Sequence, residues 1–286
     1  RRNSPNIRKD ILVPSTEHIY WLCKNKPKVY REQVDNTYRG EVWVIPPDRQ
    51  KEHPAPFPPI LVETCIKLTT QVGDIVLDPF MGWGSSLVSC CSVNIPHFTG
   101  IEINTDLVTP YNEMTKKLTE IGTITDIHLK FMNSCDVDFS KLSYDFVFTS
   151  PPYFNVERYS HDDTQSWVRY KDINNWNTQF LQKALDSMLP TLRSGGKLCI
   201  NISDVYSPSA GKKAWSKICD PMNDFIQSYG GMEYKGCIGM EMAKRPNSGG
   251  AGTAKDTKQY TEESLQLAKE TKNKRFCEPI WIWEKK

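Results

Sequence analysis

One segment limits the fold of this chain more than any other: Gly73-Asp74-Ile75-Val76-Leu77-Asp78-Pro79-Phe80-Met81-Gly82-Trp83-Gly84-Ser85-Ser86. A short apolar strand ends in an acid, a turn with two glycines follows, and a helix then opens with its free backbone N–H groups facing the turn. Glycine belongs there because a ligand must approach the backbone with no Cβ in the way. Tight strand-to-helix turns use glycine for geometry in many folds, so the segment gains force only from what comes after it.

About twenty residues on, the next strand ends Phe98-Thr99-Gly100-Ile101-Glu102-Ile103-Asn104, which puts an acid at the neighbouring strand tip, where it can accept from two ribose hydroxyls. A third strand leads to Asn133-Ser134-Cys135-Asp136, placed to meet an adenine edge. Apolar runs at 75–77, 97–103, 127–132, 146–149, 197–202, 234–240 and 279–284 read as strands. Helical patterns fill 60–71, 85–93, 110–121, 174–192 and 214–229. This alternation predicts an α/β chain: a Rossmann-like, seven-stranded, mostly parallel sheet with helices on both faces.

A second motif sits on the fourth of these strands, where Tyr144-Asp145-Phe146-Val147-Phe148-Thr149 runs into Ser150-Pro151-Pro152-Tyr153-Phe154. Two prolines fix φ and remove N–H donors, so carbonyls at the strand end stay open to a group with protons to donate, such as an amine. Tyr153 and Phe154 would add aromatic faces for a base.

Together the two motifs resemble the DNA amino-methyltransferases, whose first motif is of the Asp-Pro-Phe-x-Gly-x-Gly type and whose catalytic motif is (Asp/Asn/Ser)-Pro-Pro-(Tyr/Phe). The resemblance is strong from residue 53 to about 205 and weak elsewhere. It implies S-adenosyl-L-methionine as cofactor. Asp78, Pro79, Phe80, Gly82, Gly84 and Ser85 would flank it, Glu102 and Ile103 would take the ribose, and Asp136 would take the adenine. His53-Pro54-Ala55-Pro56-Phe57-Pro58 is similar to the segment that closes over the methionine part in relatives, with Phe57 against the cofactor. Trp83 departs from the small residue usual at its place and must point away or reshape the pocket. Ser150, Pro151, Pro152 and Tyr153 would be catalytic, and the leading serine resembles the cytosine-N4 enzymes. The implied reaction is direct methyl transfer to an exocyclic amine of a flipped-out base, with Tyr153 as stacking platform. Adenine N6, RNA as substrate and a non-catalytic subunit of the same fold are the alternatives.

Composition bounds this reading without carrying it. At 286 residues, 38% hydrophobic and 24% charged, the chain is of ordinary globular type, and a formal net charge of +2 permits a nucleic-acid partner without arguing for one. It has no apolar run of membrane length and no secretory h-region, so an intracellular protein without membrane association is expected. Nine cysteines without CxxC or Cys/His spacing predict neither a disulfide framework nor a metal site.

Residues 1–52 read as an N-terminal extension with strands at 16–24 and 41–45, and 53–286 as the methyltransferase domain, with a cofactor half at 53–140 and a catalytic half at 141–286. Glu17-His18-Ile19-Tyr20-Trp21-Leu22-Cys23-Lys24 parallels Glu278-Pro279-Ile280-Trp281-Ile282-Trp283-Glu284-Lys285, so the extension reads alternatively as a permuted piece of the catalytic lobe. A basic, glycine-rich insert at 244–274 offers Lys244, Arg245 and Lys255 to nucleic-acid phosphate, as does Phe154 to a base. With no large recognition domain in view, target recognition would fall to this insert, residues 1–50, the loop at 155–172, sequence outside the chain or the second subunit of a homodimer.

Overall fold

A computed structural model describes residues 33–40, 42–45, 57–139, 142–157, 159, 162–209, 212–241 and 277–286. The strands β1 (Val42–Trp43), β2 (Ile75–Asp78), β3 (His97–Glu102), β4 (Asp126–Phe131), β5 (Tyr144–Thr149), β6 (Leu192–Asn201), β9 (Met232–Glu241) and β10 (Cys277–Lys285) form one sheet in the order β1-β9-β10-β6-β5-β2-β3-β4. Every pairing in it is parallel except those of β10, which runs antiparallel to both β6 and β9. All seven expected strands are present. The expected count is corrected to eight, because the short strand at 41–45 joins this sheet by pairing Val42 with Gly239 and Trp43 with Met240. The strand expected at 16–24 lies outside the described residues.

Alternation along the central strands sends successive side chains into two separate cores, one on each face. Val76, Phe146, Phe148 and Cys199 pack with Leu61, Val62 and Ile66 of α1 (Pro59–Thr69), Leu87 and Cys90 of α2 (Ser85–Ser92), and Tyr111 and Leu118 of α3 (Val108–Glu120). Leu77, Val147, Leu198 and Ile200 pack on the other face. There they meet Trp176 of α5 (Ile173–Trp176), Leu185 and Met188 of α6 (Gln182–Met188), and Met222 and Ile226 of α7 (Cys219–Tyr229). The short α4 (Ser166–Arg169) lies in the loop after β5.

Two helix expectations change. The helix expected over 174–192 is broken by a π turn, Asn177–Leu181, and closes in a 3₁₀ turn, Leu189–Thr191, where Pro190 has no N–H to offer. The helix expected from 214 starts instead at Cys219, after the hairpin β7 (Val205–Ser209) and β8 (Lys212–Ser216). The buried carboxylate of Asp204 accepts from the N–H groups of Ile218 (2.8 Å) and Cys219 (2.9 Å), which caps α7 at that point and pins the root of the hairpin.

Chain order reverses at β2. The chain steps outward through β3 and β4, then returns to place β5 on the other flank of β2. In an open parallel sheet the crevice beyond the strand ends at such a reversal is where ligands bind.

Candidate active site

At the carboxyl end of β2 the backbone takes a shape that glycine permits at two positions. Oδ1 of Asp78 accepts from Phe80 N at 3.0 Å, Met81 N donates to the Ile101 carbonyl at 3.0 Å, and Gly82 N donates to Oε2 of Glu102 at 3.0 Å. Gly82 and Gly84 have φ of 51° and 88°, in the left-handed region that side chains avoid. A Cβ on Gly84 would also stand 3.0 Å from Tyr111 Oη and 3.2 Å from the Met114 sulfur. Tyr111, a residue no motif marks, reaches over from α3 and donates its hydroxyl to the Gly82 carbonyl at 3.0 Å.

Glu102 ties this turn to the next strand. Besides the Gly82 amide it accepts from Asn104 N at 2.8 Å. Desolvation nevertheless pushes its carboxyl up to about 7, against the pull of those amides and with a contribution from the Asp78 charge. Asp78 is fully buried beneath the turn, and burial pushes it up to about 6. Its Oδ2, Ser86 Oγ and Thr149 Oγ1 form a buried polar group with no hydrogen-bond partner of good geometry.

These elements face an open cleft of about 1160 Å³, open solvent included. Of the expected cofactor residues, Phe57, Phe80, Gly82, Ser85, Glu102 and Ile103 line it. Asp78, Pro79 and Gly84 lie behind its wall: Gly84 caps α2, and the Pro79 carbonyl accepts the Ser134 hydroxyl, which fastens β4 to the turn. Asp136 is not among the lining residues. It is exposed, receives Asn133 Nδ2 at 2.9 Å and faces Lys183 at 3.8 Å, because the 3₁₀ turn Ser134–Asp136 carries it outward. Asn133, Ser134 and Cys135 line the cavity in its place. Trp83 lines the cavity and packs against the core beneath it.

Ser150 and Pro152, at the end of β5, open into the same cavity, while Pro151 is buried behind them. The two aromatic residues that follow are buried. Tyr153 is 8% exposed and faces the core, where its hydroxyl bonds the Glu278 carboxylate on β10 and lies 3.2 Å from the Asn201 carbonyl. Phe154 is fully buried at φ 47°, edge-on to Trp176 with centroids 6.0 Å apart. Neither ring lines the cavity. Glu157 and Tyr159 are on the cavity wall instead, and no sequence motif marks them. Lys244, Arg245 and Lys255 lie outside the described residues.

A glycine turn at the reversal of a doubly wound sheet, with a carboxylate at the adjacent strand tip and one late antiparallel strand, defines the Rossmann-like methyltransferase fold. Residues 1–113 match the family model for N6/N4 methyltransferases, described as DNA methylase. The matched segment holds the glycine turn and Glu102 and stops before Ser150. Over 97 residues the chain is 37% identical to the Type II methyltransferase M.BglI of Bacillus subtilis, covering 32% of this chain and 28% of that one. Over 91 residues it is 35% identical to the DNA adenine methyltransferase YhdJ of Escherichia coli K12, covering 30% and 29%. These matches support the DNA amino-methyltransferase family, and the chain spans less than a third of either relative. TrmN of Thermus thermophilus superimposes with a TM-score of 0.47 at 11% identity over 80% of this chain and 49% of that one.

S-adenosylmethionine is the cofactor this family implies, and the residues present fit it. The cavity offers a carboxylate at the strand tip for ribose hydroxyls, the glycine turn at Gly82, and apolar walls at Phe57, Phe80 and Ile103. No helix among the described residues is long and apolar enough to cross a membrane.

Proposed function

We propose that this chain methylates an exocyclic amine of a base in DNA, with N4-methylcytosine as product. One observation carries the reading: Ser150 and Pro152 share a single cavity with Gly82, Ser85 and Glu102, so an amine-accepting strand end and a nucleotide-binding turn face one another.

When bound, the cofactor supplies an electrophilic methyl group on a sulfonium. Glu102 and the turn would hold its sugar. The lone pair of a base amine is delocalised into the ring, so Ser150 Oγ and the Pro151 carbonyl accept the amine protons and localise that pair on nitrogen. No covalent enzyme intermediate is required. A base in a duplex must first be extruded, at a cost of a few kcal/mol.

Serine rather than a carboxylate at position 150 favours cytosine. Adenine N6 is the second reading, supported by the identity to a relative named as an adenine methyltransferase. Mass spectrometry of nucleosides from DNA of a host expressing the chain separates them. N4-methylcytosine supports the first reading, N6-methyladenine alone replaces it with the second, and neither redirects the search to RNA. Ser150→Ala should slow methyl transfer by about 100-fold, the low end for a positioned proton-handling group, and leave S-adenosylhomocysteine affinity unchanged by calorimetry.

A further inference from the structure

The stretch around α4 closes one side of the cleft, where Gln165, Ser166, Arg169 and Tyr170 all line it. Gln165 is left with its chemistry unused. It is 7% exposed. Its backbone donates to Asp162 and accepts from Val168 and Arg169, but its side-chain amide caps nothing and makes no hydrogen bond among the described residues. Neither amide atom is sealed in the interior as the Asp78, Ser86 and Thr149 oxygens are, so the little surface this side chain keeps includes its amide and opens into the cleft it lines. The other side-chain amides of the wall are engaged: Asn104 Oδ1 accepts from Asp106 N at 3.0 Å, and Asn133 bonds Cys135 N at 3.1 Å and Asp136 at 2.9 Å. A largely covered amide without a partner is unfavourable unless a ligand completes it.

Two ties locate α4 along the cleft. Ser166 Oγ accepts from Trp176 Nε1 at 3.2 Å, and the Tyr170 ring is packed on Phe180 with centroids 6.5 Å apart. Trp176 is itself 5.1 Å from Phe180, so both ties lead to one ring. Phe180 packs on Phe80 of the glycine turn at 5.3 Å, and its carbonyl accepts the Cys135 thiol at 3.6 Å. Gln165 thus belongs to the end of the cleft between the glycine turn and the β4 tip. Because β4 flanks β3 on the side away from β5, this end lies next to Glu102 and away from Ser150. It is where the base of a nucleoside held at Glu102 would come.

We infer that Gln165 is a specificity residue for the cofactor and reads the amino edge of its adenine. Adenine sets an amino donor beside a ring-nitrogen acceptor, and a glutamine amide sets an acceptor beside a donor, so one side chain can meet both in a planar pair. The inference deepens the cofactor site: it rests on the S-adenosylmethionine fit and not on which base is methylated.

The experiment is calorimetry of the full chain with S-adenosylhomocysteine and with its 6-deamino analogue, in which hydrogen replaces the adenine amine. The wild-type chain should bind the analogue about tenfold more weakly, the order of a lost hydrogen bond that leaves its partner unpaired. Gln165→Met keeps the length of the side chain and removes the amide. It should weaken S-adenosylhomocysteine by about tenfold and leave the analogue within about twofold of its wild-type affinity, so that the ratio between the two ligands collapses. Equal losses for both ligands in Gln165→Met would make the residue one of packing alone and overturn the assignment, as would unchanged affinity for S-adenosylhomocysteine. Equal binding of the two ligands by the wild-type chain would overturn it without any variant. Failure of the wild-type chain to bind S-adenosylhomocysteine at all would defeat the cofactor fit and this inference with it, while the identity of the methylated base is decided separately by the nucleoside analysis.

Discussion

The turn after β2 and the loop after β5 face the same cavity but are built in different ways. The first is a backbone structure. Its shape comes from positive φ at Gly82 and Gly84 and from amide and carbonyl bonds to Glu102, Ile101 and Tyr111, all within about thirty residues. The second is held by side chains across long range, since Tyr153 is anchored to Glu278, 125 residues away. A site locked by local backbone is announced by its motif, whereas one locked by distant side chains shows the motif without showing what holds it.

This contrast can be broken most sharply at Gly84. Gly84→Ala adds left-handed strain, about 1–2 kcal/mol, to a close approach on Tyr111 and Met114 of the overpacking kind, about 1–3 kcal/mol. A stability loss of about 2–4 kcal/mol in urea unfolding is expected, and a loss under 1 kcal/mol would mean the turn is far softer than its bonding implies. Next in size, Glu102→Ala should weaken S-adenosylhomocysteine binding by about 1.5–3 kcal/mol, the worth of hydrogen bonds to a charged group. Calorimetry that finds unchanged affinity would remove Glu102 from the cofactor's contacts.

The long-range half is probed by Glu278→Ala, which leaves the buried Tyr153 hydroxyl without its carboxylate at a cost of about 1–3 kcal/mol. Here methyl transfer should fall while S-adenosylhomocysteine affinity holds. Equal damage to both would show that the two halves are one mechanical unit. The smallest effect is that of pH. The Glu102 carboxyl titrates at about 7, and its charged form is the better acceptor for ribose hydroxyls. Affinity for S-adenosylhomocysteine should therefore rise from pH 6 to 8, by less than tenfold per unit because one proton is involved, and Glu102→Gln should flatten the curve. The sign for the ligand-free chain is opposite: a folded value above the ordinary 4.5 keeps the proton on through that interval, so stability falls as pH rises from 4.5 to about 7.

Sequence pattern made the sheet and the β2 turn legible because both depend on local regularities, apolar alternation and glycine at forced φ. It runs out where tertiary contacts decide. Asp136 has the same strand-end position as Glu102, but a 3₁₀ turn rotates it out to Lys183. The helix expected from 214 is displaced by a hairpin whose root depends on Asp204 meeting amides 14 and 15 residues later. Tyr111 and Glu157 hold the site from positions with no motif at all, and only the crossing of α3 and the folding-back of the β5 loop bring them there.

The placement of β10 sets an order of assembly. It is the last of the described strands in the chain, yet it sits inside the sheet and is the only link between β6 and the pair β9 and β1. On a ribosome delivering some 5–20 residues per second, the strands from β2 to β6 can pair as they emerge. Tyr153, however, has no acid to bond and β9 has no inner neighbour until residues 277–285 are out of the exit tunnel. A nascent chain stalled before that point would hold a formed glycine turn beside an unfastened catalytic loop, with the raw flank of β6 open to pairing with another chain.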